Sequence, residues 1–296
     1  MRIIITGGGG FVGRALASAL EGQHDLVLVD HQLGTRTGVE GDLCHPATLD
    51  RAFADGCDAV VHLATVPGGA AEQDPATAKS VNMDATMALA DAAAQSGQRP
   101  RFIFASSIAV FGDPLPAFVD DDTPLAPRMI YGAHKALMEQ WLATQTRRGA
   151  ISALSLRLPG IIARPRGPSG MKSAFMSDVF HALKAGERIA LPVSTQATMW
   201  LMSVAQIAQN LVHALQIDAE GAFTLPAQRV VMADLVKAIC GATGLGADLV
   251  AYAPDVGIER AFGSQPPLST PAAEALGFAA DADLKALVHS ALSTLS

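Results

Sequence analysis

Tyr131 and Lys135 stand four residues apart in Tyr131-Gly132-Ala133-His134-Lys135. On a helix this spacing sets both side chains on one face. An ammonium beside a phenol stabilises the phenolate and lowers a tyrosine pKa from about 10 towards neutrality. A tyrosine so tuned can take the proton from a substrate hydroxyl. Taken alone, the pair is equally well read as two surface residues of a helix. Upstream, Phe102–Phe104 and Ala105 lead into Ser106-Ser107-Ile108-Ala109-Val110-Phe111-Gly112, an apolar strand that ends in a serine pair. A hydroxyl at the carboxyl end of such a strand faces the crevice where open α/β sheets bind ligands. It can hold a substrate oxygen there, or serve only as a turn or cap residue.

A second constellation lies at the start of the chain. Thr6-Gly7-Gly8-Gly9-Gly10-Phe11-Val12-Gly13 puts glycines at Gly7, Gly10 and Gly13, between an apolar strand and a helix. A dinucleotide site needs small residues there, because the chain turns sharply and its backbone approaches a pyrophosphate. Phe11 and Val12 then open the helix, whose unsatisfied N–H groups and positive dipole end face the phosphates. The next strand ends at Asp30. A carboxylate there accepts hydrogen bonds from an adenosine ribose and repels a 2′-phosphate, so NAD is expected rather than NADP. Arg14 and Arg36 are the residues that could serve a 2′-phosphate instead. Asp42 and Leu43 follow the place of the third strand. Asp42 could bond the adenine amino group or cap the next helix. Leu63 and Ala64 close the strand beginning at Ala59, where their backbone could line the cofactor ribose. His62 is read as a packed or surface histidine rather than a catalytic one.

The elements needed to position these groups are legible as alternating signals. Strands are expected at Arg2–Thr6, Asp25–Val29, Ala59–Leu63, Arg101–Ala105 and Ile151–Leu158. Helices are expected at Phe11–Leu20, Pro46–Ala54, Ala76–Gln95, Pro127–Arg148, Ser173–Ala185 and Ala205–Leu215. Strands separated by helices imply an α/β, Rossmann-type, doubly wound parallel sheet. The texture changes after Pro159, where prolines and glycines gather as far as Gly170. The expected division is therefore a cofactor domain over 1–163 and a smaller C-terminal substrate-binding lobe over 164–296, with about 195–215 returning to the first. Half of the 296 residues are hydrophobic and 17% are charged, which suits a globular chain. A net charge of −7 offers no basic face for nucleic acid. Cys44, Cys57 and Cys240 show no metal-ligand spacing, so no metal is expected and reduced thiols are. No signal-peptide pattern or apolar run of about 18 residues is present, so a cytoplasmic protein without a membrane partner is expected.

The glycine loop, Asp30, the Ser-Ser strand end, Tyr131–Lys135 and Leu158-Pro159-Gly160, in that order, resemble the extended short-chain dehydrogenase/reductase family. The resemblance implies an NAD-dependent enzyme with catalytic Ser107, Tyr131 and Lys135, Ser107 being placed by the Val-Phe-Gly that follows. It implies that Lys135 also meets the cofactor, that Asn82 in Val81-Asn82-Met83-Asp84 lies near it, and that Pro159 lines it. Further segments are similar to those of the family's small sugar-acid dehydrogenases: Asp120-Asp121-Asp122-Thr123-Pro124-Leu125, Leu156-Arg157-Leu158-Pro159, Met199-Trp200-Leu201-Met202-Ser203 and Asn210-Leu211-Val212-His213-Ala214. That likeness implies oxidation of a C2 hydroxyl. Arg164, Arg166 and Lys172 could hold the carboxylate, or form a solvated loop. Ser107 and Ile108 would touch the substrate. Met171, Phe175, Met176, Met199 and Trp200 could wall a pocket or simply be core. Nucleotide-sugar members of the family carry an arginine where Thr198 stands, which argues against a diphosphate ligand. An epimerase or dehydratase of a nucleotide-linked sugar is the competing expectation. A non-catalytic NAD sensor is a third, disfavoured by the intact Ser107, Tyr131 and Lys135. The family also implies a homodimer through Ala85–Ala94 and Tyr131–Thr146.

Overall fold

The computed structural model describes residues 1–112, 114–167 and 172–295. Its strands are β1 (Arg2–Thr6), β2 (Asp25–Asp30), β3 (Val39–Glu40), β4 (Ala59–His62), β5 (Arg101–Ser107), β6 (Ser152–Leu158), β7 (Gly160–Ile161), β8 (Ile189–Leu191), β9 (Thr198–Met202), β10 (Gly221–Thr224), β11 (Gln228–Val231) and β12 (Val250–Tyr252). The helices used below are α1 (Phe11–Leu20), α2 (Pro46–Ala52), α3 (Gly68–Gln73), α4 (Pro75–Lys79), α5 (Ala85–Ser96), α6 (Ile130–Arg147), α7 (Phe175–Ala185), α8 (Val204–Gln216) and α9 (Met232–Thr243).

The chain divides into two compact units. The first comprises Met1–Val110, Leu125–Leu158 and Ala208–Thr224. It holds a seven-stranded sheet in the order β10-β6-β5-β4-β1-β2-β3, parallel throughout. A parallel sheet is covered on both faces, so its strands read as continuous apolar runs rather than alternating ones. Ile3, Ile4 and Ile5 of β1 are accordingly all fully buried. On one side of the sheet, Ile4, Val60, Phe102 and Phe104 pack against Leu89 and Ala93 of α5 and Met138 and Leu142 of α6. The strand order reverses between β1 and β4, which makes the crevice at their carboxyl ends the expected ligand position.

The second unit comprises Phe111–Pro124, Pro159–Ile207 and Leu225–Ser296. Its three-stranded sheet runs β11-β9-β7, with β11 antiparallel and β7 parallel to β9. A two-stranded pair, β12-β8, accompanies it. Its core includes Phe175, Met176, Met199, Leu201 and residues of α7 and α9.

The sequence pattern predicts one helix over Ala76–Gln95. The structure interrupts it: α4 passes into a π-helical turn, Ser80–Asp84, before α5 begins. The cause is Asn82. Its side-chain oxygen accepts hydrogen bonds from Thr65 Oγ1 (2.9 Å) and the Val66 N–H (2.7 Å), and its amide donates to the Val66 carbonyl (3.0 Å). A helix that must present Asn82 to the segment after β4 takes up the extra residue as a π turn, a feature frequent at functional sites. The head of α6 is held from a distance as well, because the Glu72 carboxylate of α3 accepts the Ile130 N–H at 2.7 Å. Asn82→Ala should remove three hydrogen bonds in a 2%-exposed position and leave the Val66 groups unpaired. A loss of roughly 2–4 kcal/mol in urea unfolding is expected. A change below about 0.5 kcal/mol would mean that water replaces these bonds freely.

Candidate active site

Helix α6 carries Tyr131, Lys135 and Glu139 at successive four-residue steps, and thus on one face. Tyr131 is half-buried, while Lys135 and Glu139 are each only 2% exposed. The Lys135 Nζ lies 4.6 Å from the centroid of the Phe104 ring and 5.6 Å from that of Tyr131. Burial pushes the Lys135 ammonium down to about 7, against the opposing pull of the Glu139 carboxylate. Glu139 in turn is gripped from two strands. The Arg157 guanidinium on β6 donates through Nε (3.0 and 3.2 Å) and Nη2 (2.8 Å), and Ser106 Oγ on β5 donates at 2.5 Å.

The two serines at the end of β5 therefore have different partners. Ser106 is 1% exposed and turned to Glu139. Ser107 is half-buried and accepts the Ala109 N–H at 3.1 Å, which shapes the 3-10 turn Ile108–Phe111. Ile108 lies in that turn, half-buried. Gly132 brings the turn and α6 together: a Cβ there would sit 2.3 Å from the Ala109 carbonyl oxygen. A side chain at 132 would thus push α6 away from the turn after β5.

The glycine loop forms a cradle of the kind a pyrophosphate needs. Gly7 has φ +70°, and a Cβ on it would fall 2.9 Å from the Ala64 nitrogen. A Cβ on Gly13 would fall 2.1 Å from the Gly7 carbonyl oxygen. Helix α1 starts at Phe11 and Val12 behind an extended Gly10, with no side-chain cap and no acidic residue in its first turn. Its leading amides are thus left to an anion. Asp30 is half-buried and accepts the Gly9 N–H at 2.9 Å, so the acid expected at the ribose also steadies the loop. The residues present fit NAD. Asp42 accepts the Cys44 N–H at 2.8 Å, a bond that holds its carboxyl below the usual range. It shapes that turn, whereas α2 takes His45 as its N-cap. Leu43 is a core residue, 7% exposed, so its backbone rather than its side chain could face a ligand. Leu63 and Ala64 are half-buried beside Gly7.

His62 is packed rather than on the surface, 1% exposed. Its Nδ1 lies 2.6 Å from Thr6 Oγ1 and its Nε2 2.8 Å from Thr86 Oγ1. Because Thr86 Oγ1 donates to the Asn82 carbonyl (3.0 Å), it accepts from Nε2–H, and Nδ1 accepts from Thr6. Burial, and then the Lys135 charge, push the His62 pKa down to about 3, so the ring stays neutral.

In the second unit the expected substrate residues separate. Trp200 is 1% exposed, and its indole N–H donates to the Pro266 carbonyl at 2.8 Å. With Phe175, Met176 and Met199 it is buried, in line with the core alternative; Met171 lies outside the described residues. Arg166 pairs with Glu187 at 2.7 Å on the surface, and Arg164 Nε donates to the Ile161 carbonyl at 3.0 Å. Lys172 is exposed and Pro159 is buried. Thr198 Oγ1 donates to the Gln265 carbonyl (2.7 Å), and Arg229 Nε donates to that same oxygen (2.9 Å). A guanidinium thus reaches the neighbourhood of Thr198 from the opposite strand, β11. No local sequence signal marks it, because it depends on the β9–β11 register, which pairs Arg229 with Trp200.

Comparison with known proteins agrees with this arrangement. The model of the NAD dependent epimerase/dehydratase family matches residues 3–224. The D-erythronate dehydrogenase of Cupriavidus necator is 33% identical, over 98% of this chain and 97% of that one. That of Haemophilus influenzae is 34% identical, over 74% of this chain and 73% of that one. Among solved structures, the nucleoside-diphosphate-sugar epimerase from Agrobacterium tumefaciens superposes with a TM-score of 0.89 at 28% identity, over 99% of this chain and 94% of that one. With the family model spanning the sheet that carries the glycine cradle and the Tyr131–Lys135 face, the chain belongs to the NAD-dependent epimerase/dehydratase family and is an NAD-dependent oxidoreductase.

Proposed function

We propose that the chain oxidises the C2 hydroxyl of a small sugar acid, D-erythronate being the first candidate, to the 2-oxo acid. The observation that carries this reading is the likeness to D-erythronate dehydrogenase over almost the whole chain. NAD, when bound, would supply the hydride acceptor for C2. The chain's own residues manage the proton. Tyr131 takes it from the substrate hydroxyl, Lys135 stabilises the resulting phenolate, and Ser107 Oγ holds the hydroxyl oxygen in line. Asp30 and the amides at the head of α1 hold the adenosine ribose and the pyrophosphate, with Asn82 fixing the segment after β4. Arg164, Arg166, Lys172 and Arg229 are the candidates to meet the carboxylate. The surface pairing of Arg166 with Glu187 is weak enough to exchange. We take the working form to be a homodimer through α5 and α6, whose exposed Leu137 would be covered there.

Tyr131→Phe keeps the ring and removes the hydroxyl. Turnover should fall at least ~100-fold with NAD affinity little changed, as read by steady-state kinetics and calorimetry. Near-normal turnover contradicts the role given to Tyr131.

Asp30→Ser should lower the preference for NAD over NADP by roughly tenfold or more, the scale of a lost charge-assisted hydrogen bond. The comparison is of kcat/KM with each cofactor. A wild-type enzyme that prefers NADP would shift attention to Arg14 and Arg36.

The substrate is tested by NADH formation across four- to six-carbon aldonates, uronates and UDP-sugars, with product identification. D-Erythronate or a near aldonate should give the highest kcat/KM. A better UDP-sugar, or conversion of one without net NADH, would point instead to the epimerase chemistry named for the Agrobacterium tumefaciens structure.

A further inference from the structure

We infer that Glu139 is a positioning residue for the Tyr131–Lys135 pair: it ties the strand bearing Ser107 to the helix bearing Tyr131 and Lys135, and supplies the counter-charge that Lys135 has in the interior. The inference rests on the proposed role of that pair in proton transfer.

Three observations carry it. First, the carboxylate accepts from both strands beside the site. Ser106, the immediate neighbour of Ser107, donates from β5, and Arg157 donates from β6 with two of its nitrogens. Any shift of α6 along the sheet would have to break these bonds together. Second, the cluster is buried. Lys135 and Glu139 are 2% exposed, and Arg157 is 9% exposed. Buried ion pairs of this kind are often no better for stability than apolar replacements, so their presence invites another reason. Third, the charges around Lys135 leave Glu139 as the acid that acts on it. From β4, His62 is neutral and bonded to two threonines. On α6 itself, His134 is held below its usual pKa by burial and then by Lys79, and Tyr131 is the group to be tuned. Arg157, from β6, is clamped by the same carboxylate. The Phe104 ring face at 4.6 Å adds a weaker attraction.

The sign of the effect follows. A carboxylate near Lys135 favours its ammonium. The ammonium favours the Tyr131 phenolate. Removing the Glu139 charge lowers the proton affinity of Lys135, and with the ammonium lost earlier the Tyr131 phenolate forms only at higher pH.

The test compares wild type, Glu139→Gln, the double variant Glu139→Gln/Arg157→Met and Tyr131→Phe. The double variant removes the Arg157 charge together with its acceptor, and so keeps the question open to experiment if the single one fails to fold. Thermal unfolding reports folding, and the pH dependence of kcat/KM for the best aldonate reports the site. In both Glu139 variants the acid limb should move up by about one pH unit or more. Activity near neutrality should fall at least about tenfold and recover in part at alkaline pH. A loss that is uniform across pH, or a double variant with the wild-type profile, would make Glu139 a purely structural residue and overturn the inference. Tyr131→Phe separates the two claims. If it abolishes turnover while the Glu139 variants keep the wild-type profile, the site reading stands and this inference falls. If it leaves turnover intact, both fall.

Discussion

An ammonium inside a protein is costly unless something answers its charge, and Lys135 is such an ammonium. Its place between the Phe104 ring and Tyr131, four residues before Glu139, dictates much of the surrounding architecture. Glu139 needs partners because it is buried too, and it finds them on β5 and β6. Those strands and α6 are thereby locked in one register. Ser107 follows Ser106 on β5 and Tyr131 precedes Lys135 on α6, so the locked register also sets the groups that would address a substrate hydroxyl. Gly132 completes the arrangement by letting the backbone of α6 reach the turn after β5.

The cofactor half of the same unit is built on close backbone approach rather than on charge. Gly7 and Gly13 leave no space for a Cβ, and the acid at the end of β2 holds the loop through Gly9. The Thr6–His62–Thr86 chain and the Asn82 bonds to Val66 extend this rigidity across the reversal in strand order. The effect is a floor made of backbone at the carboxyl ends of β1 and β4, where a dinucleotide can lie.

Much of this was legible in the sequence because it depends on local spacing. The glycine positions, Asp30 and the Tyr131–Lys135 step are each set within a few residues, and the limits of β1 and α1 match their apolar patterns. What escaped depends on long-range register. Nothing local says that Ser106 would turn to Glu139 while Ser107 would not, or that Arg157 would meet a carboxylate on α6. The π turn at Ser80–Asp84 interrupts a plain helical pattern, and the Val66 backbone that Asn82 meets there is 16 residues away. Trp200 and the methionines near it have the composition of a ligand wall, yet their burial is that of core. Arg229 reaches the Thr198 neighbourhood only through an antiparallel pairing that the sequence does not announce.

Lys135 is a buried amine poised close to neutrality beside Tyr131. An NMR titration of its Cε and Nζ resonances, assigned by their absence in Lys135→Met, measures this directly in the ligand-free protein. The structure predicts a midpoint at about 7, well below that of an ordinary lysine. A midpoint near 10, with the exchange behaviour of a solvated side chain, would contradict it.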